Sequence, residues 1–74
     1  MDLIYRNKTL LVNIDEKVDI KIVRKLETRL NHILREYNIE NVEIALLNEN
    51  SDEQLFTSSI KMIRSQHHTN IYLK

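Results

Sequence analysis

The stretch Thr9-Leu10-Leu11-Val12-Asn13-Ile14, then Asp19 to Tyr37, then Val42-Glu43-Ile44-Ala45-Leu46, decides the fold. Leu10, Val12 and Ile14 alternate with Leu11 and Asn13, a two-residue period that builds a strand with one apolar face. From Asp19 the period changes. Val23, Leu26, Leu30, Ile33, Leu34 and Tyr37 recur at three- and four-residue steps, as one side of a helix requires. Asp19 or Asp15 supplies an N-cap, and the end falls near Asn38, a residue that tolerates the left-handed conformation where glycine is missing. Val42, Ile44 and Leu46 restore the alternation, with Leu47 joining them. A strand, a helix and a strand at this spacing predict parallel strands joined by a right-handed crossover.

Working outward, residues 3 to 6 are rich in Leu, Ile and Tyr and are separated from residues 9 to 14 by Asn7-Lys8. That pattern predicts a β-hairpin. On the other side, Ser51-Asp52-Glu53-Gln54 fits a capping box that starts a second helix, from about Asp52 to Ser65. Leu55, Phe56, Ser59, Ile60 and Ile63 form its inner side, and Ile71, Tyr72 and Leu73 supply a short last strand. The order is ββαβαβ, a single α/β domain over residues 1–74. A four-stranded mixed sheet carries two helices on one face and leaves the other face partly open to a partner or a second copy.

Composition narrows the function. A chain of 74 residues has room for one core, burying roughly 60% of the surface that its unfolded form exposes. A core this small accommodates a substrate cavity only at a cost, and with no structural metal or disulfide it is expected to rely on a partner or on self-association. The absence of cysteine excludes disulfides, thiolate metal sites and a cysteine nucleophile, and fits a reducing cytoplasm. The absence of glycine excludes Walker-type and dinucleotide-binding loops, which bring backbone against phosphate. No leader pattern and no membrane-length apolar run are visible, and no cofactor is expected. Richness in Ile, Asn, Lys and Glu is typical of AT-rich bacterial or phage genomes.

Acidic and basic residues balance at 11 each, but they are segregated. Lys17, Lys21, Arg24, Lys25, Arg29 and Arg35 dominate the first helix and its approach, whereas residues 36 to 54 contain Glu36, Glu40, Glu43, Glu49, Asp52 and Glu53 and only neutral or apolar residues otherwise. At about 100° per residue, Lys17, Lys21, Arg24, Lys25 and Arg35 point away from the apolar stripe, with Thr28 and His32 among them. Of these, Lys21, Arg24, Lys25 and Arg35 form a candidate docking face for an acidic protein. Nucleic acid is the less favoured partner for this face, because binding by counterion release is typical of domains with a net positive charge. His67-His68 offers two imidazoles, fewer than the three or four converging ligands of a zinc site. Ser58 and Ser59 lack the glycine-bearing elbow of a serine nucleophile, so no catalytic residue is assigned and an enzyme is not expected.

Two families share features with this chain. Leu10 to Asp15, Val18-Asp19, the amphipathic helix and Asn41 to Asn48 together resemble the opening of a STAS domain, the fold of bacterial anti-sigma-factor antagonists. Phe56-Thr57-Ser58-Ser59-Ile60 is similar to that family's Phe-x-Asp-Ser-Ser-Gly turn, with Thr57 in place of Asp and Ile60 in place of Gly. The resemblance covers about two-thirds of such a domain. It implies a regulatory module that binds a kinase-like anti-sigma factor, with Ser58 or Ser59 as the phosphorylation site. The second resemblance is to the amino-terminal domain of the division inhibitor MinC, through the hairpin opening and the run Leu46 to Leu55. It implies an inhibitor, bacterial or phage-encoded, that docks on a division or host protein. Both likenesses imply non-enzymatic protein binding.

Overall fold

The chain enters through a hairpin whose turn is made without glycine. In the computed structural model, which describes residues 1–49 and 51–73, β1 (Asp2–Arg6) pairs antiparallel with β2 (Thr9–Ile14), and Arg6 faces Thr9 across the turn. Asn7 and Lys8 both take the left-handed conformation, at φ 50° and 61°. Positive φ at both central residues is what a type I′ turn requires, and its twist matches that of the strands it joins.

Beyond β2 the chain forms α1 (Ile20–Glu36), β3 (Asn41–Leu46), α2 (Glu53–His67) and β4 (Asn70–Leu73). The sheet order is β1-β2-β3-β4, with β2, β3 and β4 mutually parallel, so the sheet is mixed and the order is ββαβαβ. Register places Leu10, Val42 and Ile71 in one row and Val12, Ile44 and Leu73 in the next. All of these but Leu73 are buried, beneath Val23, Leu26 and Leu30 of α1 and Phe56, Ile60 and Ile63 of α2. Complete burial of each such side chain contributes roughly 1.5–3 kcal/mol relative to exposure. The opposite face carries Thr9, Leu11, Asn13, Asn41, Glu43 and Ala45, all only partly covered.

Asp19 caps α1, its Oδ1 accepting from the Ile22 amide at 3.0 Å, as one of the two expected residues. The end of α1 differs from expectation. Tyr37 caps it in an extended conformation, and Asn38 is not among the left-handed residues. The chain leaves directly toward β3 because Ile39 is drawn into the core, and this turns Tyr37 outward to 63% exposure instead of burying it with Leu30. Leu47 likewise lies past the end of β3 and is exposed, although its amide still donates to the Ile14 carbonyl at 2.8 Å.

The start of α2 is also rearranged. Its N-cap is Asp52, whose Oδ1 accepts from the Leu55 amide at 3.2 Å, and not Ser51. Ser51 is occupied elsewhere: its Oγ accepts from the Val18 amide at 3.1 Å, while the Asp52 amide donates to the Val18 carbonyl at 3.4 Å. A hydroxyl that could cap a helix instead ties the approach to α1 to the approach to α2. The second helix runs two residues past Ser65 and closes on His68, left-handed at φ 53°. Here a histidine occupies the position that glycine usually takes.

Candidate docking face on the first helix

The four cations singled out in the sequence, Lys21, Arg24, Lys25 and Arg35, are all exposed on α1, and Arg29 and His32 lie exposed between them. Their arrangement follows from helix geometry. Val23, Leu26 and Leu30 turn inward, so residues at 21, 24, 25, 28, 32 and 35 share the outward side. From Lys21 to Arg35 the stripe runs about 21 Å at ~1.5 Å per residue. Among the described residues none of these cations forms a salt bridge. The helix's own acids do not neutralise the stripe. Glu27 is turned toward α2, where it accepts from the Ser59 hydroxyl at 2.5 Å, leaving only Glu36 at the far end.

The unpaired state of these cations matters because uncompensated like charges along one helix face repel slightly, and an anionic surface relieves that repulsion. Arg is well suited to such a role, since its planar fork can grip a carboxylate through two parallel hydrogen bonds. Thr28 contributes no anchor of its own, because its hydroxyl donates back to the Arg24 carbonyl at 3.0 Å.

Ser58 and Ser59 lie in the middle of α2. Ser58 is exposed, and its hydroxyl donates to the Gln54 carbonyl at 3.2 Å. Ser59 is buried and bonded to Glu27. A phosphate on Ser59 would break that bond and face the Glu27 carboxylate, whereas one on Ser58 would project into solvent. The histidines are dispersed: His32 is exposed on α1, His68 forms the end of α2, and His67 Nε2 lies 2.7 Å from Asn31 Oδ1. No cluster of three or more His, Asp or Glu residues suited to a metal occurs among the described residues.

Sequence reasoning missed an apolar groove beside β1, of about 330 Å³, lined by Leu3, Tyr5, Leu10, Ile33, Tyr37 and Ile39. It forms because α1 and α2 each bridge a pair of the parallel strands, which leaves the inner side of the antiparallel strand β1 partly uncovered. The signal was present in the sequence as Tyr5 and Tyr37, two aromatics at the margins of otherwise core-forming patterns. At the other end of β1, the Met1 amine donates to Glu16 Oε1 at 2.7 Å and lies 3.7 Å from Asp15 Oδ1.

No helix among the described residues is long and apolar enough to cross a membrane. No protein family, curated protein or solved structure matches the chain.

Proposed function

We propose that this domain is a non-enzymatic regulatory module that docks on an acidic surface of a protein partner through the outward face of α1. Lys21, Arg24, Lys25 and Arg35 are the contact residues, with Arg29 between them. One observation carries the reading: a continuous cationic stripe whose members have no counter-ion within the described chain. The stripe belongs to a domain of zero formal charge. A long polyanion such as DNA would meet the acidic remainder of the surface, whereas a compact acidic patch on a protein meets only the stripe. An anti-sigma factor or a comparable bacterial regulator, the partner class implied by the STAS-like sequence features, is of the right kind.

The test compares the wild-type domain with a quadruple reversal, Lys21→Glu, Arg24→Glu, Lys25→Glu and Arg35→Glu, each immobilised in extract of the native host. Proteins retained by the wild type and released by the reversal, at unchanged far-UV circular dichroism, are the expected result. Equal retention by both forms would refute it. Steeply salt-dependent retention of duplex DNA in place of protein would replace this reading with nucleic-acid binding.

A further inference from the structure

We infer that a second copy of this chain pairs with the free edge of β1, antiparallel and centred on Ile4, to give an eight-stranded sheet across a twofold axis. The edge strand is Asp2-Leu3-Ile4-Tyr5-Arg6. In antiparallel pairing about Ile4, each residue faces the one that brings the sum of their positions to eight. Asp2 then faces Arg6 of the second copy, Leu3 faces Tyr5, and Ile4 faces itself. The strand is therefore complementary to itself in charge, with an acid at one end and a base at the other. Neither Asp2 nor Arg6 has a salt-bridge partner among the described residues.

Backbone geometry supports the same register. Arg6 and Thr9 close the two-residue turn, so their amide groups face each other, and by the alternation of antiparallel ladders those of Ile4 and Asp2 also face β2. Leu3 and Tyr5 are left to direct their N–H and C=O groups to the free edge. These are the two residues that meet in the proposed register, so the donors and acceptors of one copy oppose those of the other.

The side chains left exposed by the monomer are accounted for on both faces. Ile4, 49% exposed, meets Ile4 of the second copy on the open face, where the two Asp2–Arg6 pairs flank it. Tyr5, 57% exposed, meets Leu3 of the second copy on the helix-covered face, at the mouth of the apolar groove. Exposed strand edges are ordinarily protected by charges or by pairing. Here the charges attract a copy in one register, and a slip forfeits both Asp2–Arg6 pairs.

The contact is independent of the α1 stripe, because it uses the β1 edge alone. The test is sedimentation equilibrium at low ionic strength on the full chain, its Asp2→Arg and Arg6→Asp variants, an equimolar mixture of the two, and the double swap. The wild type is expected to move from 8.9 kDa toward twice that mass with concentration. Each single variant opposes like charges at two positions and should weaken the dimer about tenfold. The mixture and the double swap restore both opposite-charge pairings and should recover wild-type dimerisation, which separates loss of pairing from loss of folding. A wild type that stays monomeric into the millimolar range, single variants as dimeric as the wild type, or a mixture that fails to recover, would overturn the assignment.

Discussion

Replacing Lys8 or His68 with glycine should stabilise this protein, against the usual direction of mutation. Both residues hold left-handed backbone, at φ 61° and 53°, in a chain with no glycine at all. A Cβ in that region costs roughly 1–2 kcal/mol. Glycine removes this cost but adds unfolded-state entropy worth about 0.5–1 kcal/mol, so the net gain is about 0–1.5 kcal/mol per site. The Lys8–Glu40 pair is 3.7 Å apart with both partners more than half exposed. Its loss, worth ~0–1 kcal/mol, offsets part of the gain at Lys8, so the larger gain falls at His68. At this chain length a gain of about 0.75 kcal/mol corresponds to a rise in Tm of roughly 3–6 °C. Thermal and urea unfolding followed by circular dichroism would measure it, with Lys25→Gly in the exposed middle of α1 as a control expected to lose ~1 kcal/mol. Destabilisation by both Lys8→Gly and His68→Gly, comparable to that control, would refute the left-handed turn and cap.

Other substitutions test particular contacts. Ser51→Ala should cost about 1–3 kcal/mol, because it orphans the amide of buried Val18, while Gln54→Ala should be nearly neutral. The reverse ranking in urea titrations would restore Ser51 to a capping-box role. The Met1 amine is held above its ordinary value, chiefly by its hydrogen bond to Glu16 and further by the charges of Glu16, Asp15 and Asp2. Its contribution is thus complete below the unfolded-state value of about 8 and is lost as pH rises through the folded-state value. Asp15 is shifted the other way, lowered first by its hydrogen bond to Glu16, so its contribution is present above the unfolded carboxylate value and is lost on acidification. Urea midpoints should therefore decline on both the alkaline and the acid side. Acetylation of the Met1 amine should abolish the alkaline decline specifically, and an unchanged alkaline limb would count against the ion pair.

The strand and helix order was legible because periodicity is a local property. Leu10, Val12 and Ile14, and Val23, Leu26 and Leu30, report their buried faces through spacing alone. Asn7-Lys8 was equally readable, since only a two-residue turn fits between the two apolar runs. What failed was the assignment of roles that depend on distant partners. Ser51 satisfied a local capping pattern, yet Val18, 33 residues away, claims its hydroxyl. Tyr37 continued the helical stripe, but the path toward Ile39 turned it outward. The cationic stripe was visible as a helical pattern, whereas the absence of counter-ions from neighbouring elements required the tertiary arrangement. The self-complementary edge of β1 was likewise hidden until the strand order showed which edge was free.

The central claim is that the outward face of α1 meets carboxylates on a protein. Zero-length coupling of amines to carboxylates, applied to the tagged domain in native-host extract and mapped by mass spectrometry, tests it most directly. Links from Lys21 and Lys25 to Asp or Glu residues of one protein, lost in an Arg24→Glu, Arg35→Glu variant that keeps both lysines, are the predicted result. Links confined to Lys8, Lys17 or Lys61, with Lys21 and Lys25 unmodified by any partner, would contradict it.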